Sequence, residues 1–219
     1  MSGKTNINLI DRFSGFLTRH RGGSLIFILL VTVLFGVGTL KIKGEVFLED
    51  LLPHEHPFLK IIATFADDFG TGGSWTGIIV ESKDGDIFNT QTLEKVLRID
   101  DEVATWPETF RTLTFSLGSR SAQVAKVSGT GEIGFDTILF PDAPVDPGAI
   151  EKMKSNVFSD PSMRQIIATG GKATIIQTEF KPEVTYEQSF EMLNQLSEKY
   201  TDEQTTVRAV GFPVLMGWI

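Results

Sequence analysis

Two short motifs are the first places to look for chemistry in this sequence. Residues 129–134, GTGEIG, match the G-x-G-x-x-G pattern of dinucleotide-binding loops. That function requires a strand before the loop and a helix after it, because the helix N-terminus holds the pyrophosphate. Here a short AKVS run precedes the glycines, and FDTILF, which has the composition of a strand, follows them. We therefore predict a loop without a nucleotide-binding function at residues 129–134.

The second motif is a pair of histidines, His54 and His56, separated by Glu55. Helical zinc sites use histidines four residues apart, whereas this pair is separated by one residue and has a proline on each side. The third histidine, His20, precedes the apolar stretch described below. We predict a surface loop at this position and no metal site.

The remaining residue pattern gives no support for catalysis. The acidic groups at 67–68 and 100–102 could attract cations, but we expect them to lie on solvated helix faces. The sequence has no G-x-S-x-G motif, no Ser-x-x-Lys motif and no kinase-like set. It has no cysteine, which excludes disulfides and thiolate metal ligands. We predict no enzyme activity, no catalytic residue and no cofactor, and the substrate-binding residues stay unassigned.

Aromatic residues offer a different kind of candidate site. The chain has 17 phenylalanines, which is a high number for 219 residues. Aromatic side chains near the predicted strands could line a cleft for apolar ligands or fill the core, and we favour the core for each of them. The residues concerned are Trp75, Phe110, Phe115, Phe135 and Phe140.

The chain is organised around residues 22–40, GGSLIFILLVTVLFGVGTL, which contain no charged side chain. A helix needs about 20 mainly apolar residues to cross a bilayer, and a buried core helix would normally show a polar face. We predict a transmembrane helix. A cleaved signal peptide is the alternative, because residues 36–38, GVG, are small, but the apolar stretch is longer than a typical signal core.

The distribution of charge assigns the two sides of that membrane. Residues 1–23 carry four basic residues and one acidic residue, whereas the rest of the chain has 16 basic and 27 acidic residues. Because basic flanking residues stay in the cytoplasm, we predict a cytoplasmic N-terminus and an acidic domain in the periplasm or cell exterior. The acidic domain also argues against nucleic acid as a partner, since nucleic-acid interfaces are rich in Lys and Arg.

The order of predicted elements indicates the fold class. Residues 5–20 predict a basic amphipathic helix on the inner leaflet, with a disordered basic tail as the alternative. After the membrane, a helix beginning at Pro57 and ending before Gly70 has an apolar face that we expect to pack on the domain core. Asp100 interrupts the apolar face of a later helix. The other predicted strands are 75–81, 110–117, 135–140, 164–168, 172–180 and 206–210, and the other helices are 90–106, 148–158 and 185–200.

Two β-α-β units in succession predict an α+β, ferredoxin-like (βαβ-βαβ) domain. The predicted boundaries are a cytoplasmic amphipathic segment at 1–21, a transmembrane helix at 22–40 and a periplasmic porter-like domain at 41–210. The last residues, 211–219, GFPVLMGWI, are apolar and uncharged. We predict that they are the truncated start of a second transmembrane helix, and a buried strand is the alternative.

Three further segments carry a resemblance to a known family. They are LEDLLPHEHPFLKIIATFADDFG at 48–70, FSDPSMRQIIATGGKATIIQTEF at 158–180 and VRAVGFPVLMGWI at 207–219. In order and spacing, together with the basic start and the apolar helix, they resemble the N-terminal part of resistance–nodulation–division (RND) superfamily exporters. The similarity is to the hydrophobe/amphiphile-efflux or lipid-exporter-like branch and covers nearly the whole chain.

The resemblance implies a proton-driven permease of the bacterial inner membrane, whose periplasmic porter domains capture and relay hydrophobic or amphiphilic molecules such as lipids or drugs. The implied partners are membrane lipids, the substrate, the remainder of the permease, and a homo-oligomer or an adaptor protein. The family's proton-relay helices are not in this chain, so no relay residue is carried over. The alternatives are a single-span envelope protein whose α/β domain binds a lipid or protein partner, and an anchored hydrolase.

Overall fold

The computed structural model describes residues 14–16, 18–39, 56–70, 73–127, 129 and 131–218. Two compact units make up the chain, Met1–Val46 and Phe47–Ile219. Most of the predicted amphipathic helix at 5–20 lies outside the described residues, as do His54 and Glu55.

The first unit contains helix α1, Arg21–Thr39, at the place predicted for an apolar helix. The helix has 19 residues, the mean hydropathy over its most apolar 18 is 2.1, and none of its side chains is buried within the protein. Within the described residues it is the one helix long and apolar enough to cross a membrane. The prediction of an apolar helix of spanning length is therefore confirmed.

The second unit is a mixed α+β domain, as predicted. Its helices are α2 (Pro57–Phe69), α3 (Thr90–Thr105), α4 (Pro147–Ser159), α5 (Pro161–Arg164), α6 (Tyr186–Tyr200) and α7 (Phe212–Gly217). Its strands are β1 (Trp75–Ser82), β2 (Gln123–Val127), β3 (Ile133–Thr137), β4 (Ala173–Glu179) and β5 (Thr205–Gly211).

Strand β1 is the centre of a three-stranded sheet with the order β4-β1-β5. Both neighbours run antiparallel to it, so that Ile78 pairs with Ile176 on one side and with Ala209 on the other. Side chains alternate between the faces of a strand, and helices α3 and α6 contribute buried apolar side chains to the core on the inner face. The largest fully buried side chains are Phe180, Ile78, Ile87, Leu93, Ile99, Leu117, Leu139, Ile176 and Leu193.

Both core helices begin at side-chain caps that the sequence provides. The Asn89 side chain accepts a hydrogen bond from the Thr92 amide at 2.9 Å, at the start of α3. Thr185 and Gln188 form a capping box at the start of α6. Such caps satisfy amide groups that the helix leaves unpaired and contribute about 1 kcal/mol each.

The strand predicted at 110–117 is wrong. A single-turn 3-10 helix, Arg111–Leu113, lies there between two isolated bridges, Thr109 with Phe180 and Phe115 with Gln177. Five residues lie between Thr109 and Phe115, but only two lie between their partners. The three extra residues form the 3-10 turn, because the segment has more residues than the edge of β4 can pair.

Asp100 fixes the loop that follows the 3-10 turn. Its side chain is buried, and its Oδ1 atom accepts hydrogen bonds from the hydroxyls of Ser116 at 2.5 Å and Ser119 at 2.7 Å. Asp100 lies on the apolar face of α3, and its hydrogen bonds anchor the loop that contains Ser116 and Ser119. The expectation of a solvated carboxylate is wrong for Asp100, because the serines that satisfy it are distant in sequence.

Two of the predicted strands differ from the structure. Residues 164–168 do not form a strand, and Ile167 makes only an isolated bridge to Thr174 in β4. Strand β3 lies two to three residues earlier than the predicted strand at 135–140 and pairs with β2.

The segment after β5 is helical and is not a buried strand. Its first part packs on α6: Pro213 is buried, and the Phe212 and Tyr186 rings meet edge to face at 5.4 Å between centroids. Gly217 lies so close to Phe190 that a Cβ atom there would meet the Phe190 Cβ. Leu215 and Trp218 are exposed.

The sharpest test of this packing is at Gly211, which joins β5 to α7. It has φ 132°, a conformation essentially restricted to glycine, and a Cβ atom there would lie 2.5 Å from the Trp75 carbonyl oxygen. We expect Gly211→Ala to lower the free energy of unfolding by about 2–3 kcal/mol. The measurement is urea unfolding of the detergent-purified protein followed by tryptophan fluorescence.

Gly85→Ala is the matched control. Gly85 also has a positive φ, of 75°, but no atom lies within 4 Å of the added Cβ. We expect it to cost about 1 kcal/mol, the backbone term alone. Equal losses for the two variants would contradict the close contact at Gly211.

Candidate functional site

Gly129 and Gly131 of the glycine motif lie between β2 and β3, and its last two residues, Ile133 and Gly134, belong to β3. Strand β3 begins at Ile133, where a dinucleotide site would need the first turn of a helix. The predicted order of a loop followed by a strand is confirmed. A pyrophosphate at residues 129–134 would therefore meet no helix N-terminus in the part of the chain that is described.

His56 is the helix cap of α2. Its Nδ1 atom accepts a hydrogen bond from the Phe58 amide at 3.2 Å, and Pro57 occupies the first helical position. Among the described residues, no group of three or more His, Asp or Glu side chains could hold a metal ion. The structure thus gives this histidine a local structural role.

A polar cleft of about 450 Å³ lies between α3 and the loop that joins α6 to β5. Helix α3 contributes Gln91, Lys95 and Arg98 to its walls, and the opposite side contributes Asp202 and Gln204. The sequence did not indicate this cleft, because its residues are ordinary surface types that come together only through the sheet. It is the first place to examine for a binding site.

The deepest cation of the polar cleft already has partners. Lys95 Nζ lies 2.7 Å from Asp202 Oδ2 and also donates to the Thr205 hydroxyl. The Lys95 hydrogen bond, followed by the Thr205 amide, holds the pKa of Asp202 well below its usual range. Lys83 Nζ donates to the Asp202 carbonyl at 2.7 Å. These contacts connect the loop before β5 to α3 and β1, which is a structural role.

A second charged network joins the other end of α3 to α6. Glu102 Oε2 accepts from the Tyr200 hydroxyl at 2.6 Å and from Lys199 Nζ at 2.7 Å. Burial alone would raise the pKa of Glu102, but these hydrogen bonds outweigh it and lower the pKa. Burial and the neighbouring Glu102 raise the pKa of Tyr200 to about 12. At neutral pH Glu102 therefore stays ionised and Tyr200 stays protonated.

A more unusual surface is an uncovered apolar face on α2. Phe58, Ile61, Phe65 and Phe69 are between 49 and 71% exposed, and we call them the α2 stripe. Ala66, on the adjoining side of the helix, is buried. The expectation that the whole apolar face packs on the core is wrong, because Ile62 is only half-buried and full burial is reached only at Ala66.

The α2 stripe leads to one end of the sheet. A Cβ atom at Gly70, directly after α2, would lie 2.7 Å from the Glu179 carboxyl carbon, so α2 ends against the last residue of β4. Glu179 pairs with Trp75 at the start of β1, and the next residue, Thr76, pairs with Gly211 at the end of β5. The domain's first strand therefore begins where its last strand ends.

Exposed apolar side chains are concentrated at this end. Trp75 is 41% exposed, and Leu215 and Trp218 on and after α7 are 57% and 78% exposed. We call Trp75, Leu215, Trp218 and the α2 stripe together the apolar end.

Of the five aromatic residues considered from sequence, Phe110 is buried, Phe115 and Phe140 are half-buried, and Trp75 and Phe135 are exposed. The core assignment is thus wrong for Trp75 and Phe135.

Comparison with protein-family models and with curated proteins finds no match for this chain. Function must therefore be inferred from the two surfaces. The deepest cation of the polar cleft is paired within the cleft, whereas the apolar end has large side chains that the described residues leave uncovered. The apolar end is the stronger candidate.

The charged network around Tyr200 gives a direct pH test. The chain has two tyrosines, so the phenolate absorbance of the wild type minus that of Tyr200→Phe isolates one group. We expect Tyr200 to ionise with a pKa of about 12, against about 10 for a free tyrosine. Because the folded state favours the neutral phenol, its contribution to stability is complete below pH 10 and is lost as the pH rises towards 12.

Glu102→Gln separates the two causes of that shift. Removing the carboxylate should lower the pKa of Tyr200, while burial keeps it above the value of a free tyrosine. Glu151→Gln, on the exposed part of α4, is the control and should leave the titration unchanged. Half-ionisation of Tyr200 near pH 10 in the wild type would contradict the network.

Proposed function

We propose that this chain is the N-terminal part of an RND-type exporter of hydrophobic or amphiphilic molecules, such as lipids or drugs. In this proposal α1 crosses the bacterial inner membrane with the N-terminus in the cytoplasm. The second unit is a periplasmic porter domain that captures and relays substrate without bond chemistry. The observation that carries the proposal is the apolar end, where the chain enters and leaves the domain among exposed aromatic side chains.

The position of the two chain connections supports this assignment. A domain that is inserted between two transmembrane helices must return its chain to the membrane from which it came. Here the pairing of Thr76 with Gly211 brings the start of β1 and the end of β5 to the same end of the sheet. The apolar segment 212–218 follows immediately, and we propose that it leads towards a second transmembrane helix.

The sheet supports a porter-like fold. Adding the bridged segment 109–115 beside β4 extends the strand order to β5, β1, β4 and then this segment. In ferredoxin-like domains, two β-α-β units interleave in one antiparallel sheet and give this strand order. We propose that the domain is ferredoxin-like, with its second strand reduced to two bridges and with residues 118–160 as an insertion.

The charge distribution supports a cytoplasmic N-terminus and the proposal that proton coupling takes place outside α1. Four basic residues and one acidic residue occupy positions 1–23, so positive charge is concentrated before the apolar helix. After Arg21, α1 has no ionisable side chain. Ionisable groups inside membranes mark proton relays, so we propose that energy coupling depends on helices of the permease other than α1. Membrane lipids and the remaining permease are the proposed partners.

The second candidate function is a single-span envelope protein whose domain binds a lipid or a protein. The same exposed α2 stripe favours it, because an apolar surface can serve a stable partner as well as a transported one. Transport separates the two, since a binding protein moves no substrate against a gradient.

The proposed function predicts an export defect. Cells that lack the gene should retain more of a hydrophobic fluorescent dye, or accumulate an envelope lipid in the inner membrane. Restoring the gene should reverse the defect, and a protonophore should abolish the restored efflux because proton entry drives export. The measurements are dye release from preloaded cells and lipid analysis of separated membranes.

The control is the same gene with Leu30→Lys, a charge at the centre of α1, which costs about 3 kcal/mol on insertion. This variant should fail to restore export and should be depleted from the membrane fraction. Unchanged dye release and unchanged lipids after deletion would contradict the exporter and leave the binding protein.

A further inference from the structure

We propose that α2 is an interfacial helix that lies on the outer surface of the bilayer, with the α2 stripe among lipid headgroups and the upper acyl chains. The proposal rests on the proposed function only for the premise that α1 crosses a membrane. It does not depend on transport. It assigns a lipid surface, and neither a second copy of the chain nor another protein, as the occupant of the stripe.

The shape of α2 fits this role. With 3.6 residues per turn, the four stripe residues fall within an arc of roughly 80°. Lys60, Thr64 and Asp68 are exposed and lie on a different part of the circumference. The buried Ala66 edge attaches the helix to the domain, so the stripe faces outward on a supported helix. An apolar arc beside a polar arc on one helix is a pattern of helices that lie in a membrane interface.

The size and composition of the surface also fit. Four large side chains, each about half exposed or more, present on the order of 400 Å² of apolar area. An uncovered patch of that size is comparable to the largest apolar patch of a typical monomer, which is often a functional surface. Three of the four residues are phenylalanines, and Trp75 and Trp218 are exposed at the same end of the domain. Tryptophan is enriched at membrane–water interfaces because its ring is apolar and its N–H donates to headgroups.

The covalent connection selects lipid as the occupant. Only residues 40–56 separate α1 from α2, and an extended chain spans at most about 3.6 Å per residue. The start of α2 therefore stays within roughly 60 Å of the end of α1. If α1 crosses the bilayer, the largest apolar phase within reach of the stripe is the leaflet surface itself. The tether keeps that surface at a high effective concentration, which a freely diffusing partner lacks.

The charge of α2 and of the domain predicts how the contact with the membrane depends on lipid headgroups and on salt. Helix α2 carries Lys60 against Asp67 and Asp68, and the chain after residue 23 is strongly acidic. Anionic headgroups would repel such a domain, so the stripe must bind through apolar burial. We therefore expect the contact to form on zwitterionic phosphatidylcholine and to persist at high salt, where electrostatic attachment is screened.

The test uses the full chain in phosphatidylcholine nanodiscs. The sequence has no cysteine, so single nitroxide labels can be placed without background. The labelled variants are Ile61→Cys and Phe65→Cys on the stripe, Thr64→Cys on the polar side as the matched control, and Leu30→Cys in α1. The measurement is the relative accessibility of each label to oxygen, which partitions into lipid, and to a water-soluble nickel complex.

We expect labels at 61 and 65 to favour oxygen several-fold over the label at 64, in low and in high salt. Labels at 61 and 65 that favour the nickel complex would place the stripe in water and overturn the proposal. Labels shielded from both reagents would place it under protein, which also overturns it. If the label at 30 favours the nickel complex, α1 does not cross the bilayer and the proposed function fails first. Oxygen access at 30 with aqueous labels at 61 and 65 refutes the interfacial helix alone.

Discussion

The antiparallel pairing of β1 with both of its neighbours is the constraint on which the second unit depends. It buries Ile78 and Val80 completely and gives α3 and α6 a surface to cover. The same pairing joins Trp75 to Glu179 and Thr76 to Gly211. It therefore decides where the chain enters and leaves the domain. Gly211 permits this close approach because no side chain fits against the Trp75 carbonyl.

The two surfaces of the domain differ in what completes them. In the polar cleft, Lys95 and Asp202 neutralise each other and connect a loop to α3. The Lys95 and Asp202 side chains of that cleft therefore have partners within the same chain. The α2 stripe has no such completion among the described residues, because its apolar side chains can be covered only by something apolar. Exposing apolar side chains to water costs free energy. The stripe is therefore the part of the domain that requires a partner.

Much of the fold was predictable from sequence, and the failures have identifiable causes. Strand β1 and helices α3 and α6 follow from local patterns, namely an apolar run and the caps Asn89 and Thr185. The strand expected at 110–117 failed because its pairing depends on β4, which is distant in the sequence. Asp100 was placed in solvent because Ser116 and Ser119 become its partners only after folding. Periodicity identified the apolar face of α2 but could not tell which part of that face the domain covers.

The side of the membrane on which the domain lies is the central claim, and it can be measured directly. Ser14→Cys and Glu203→Cys place one thiol before α1 and one on the exposed loop before β5. A membrane-impermeant maleimide is added to intact spheroplasts and, in parallel, to lysed ones. We predict labelling at position 203 in both samples and at position 14 only after lysis. Labelling at 14 in intact spheroplasts, or protection of 203, would contradict a membrane-crossing α1 with an external domain.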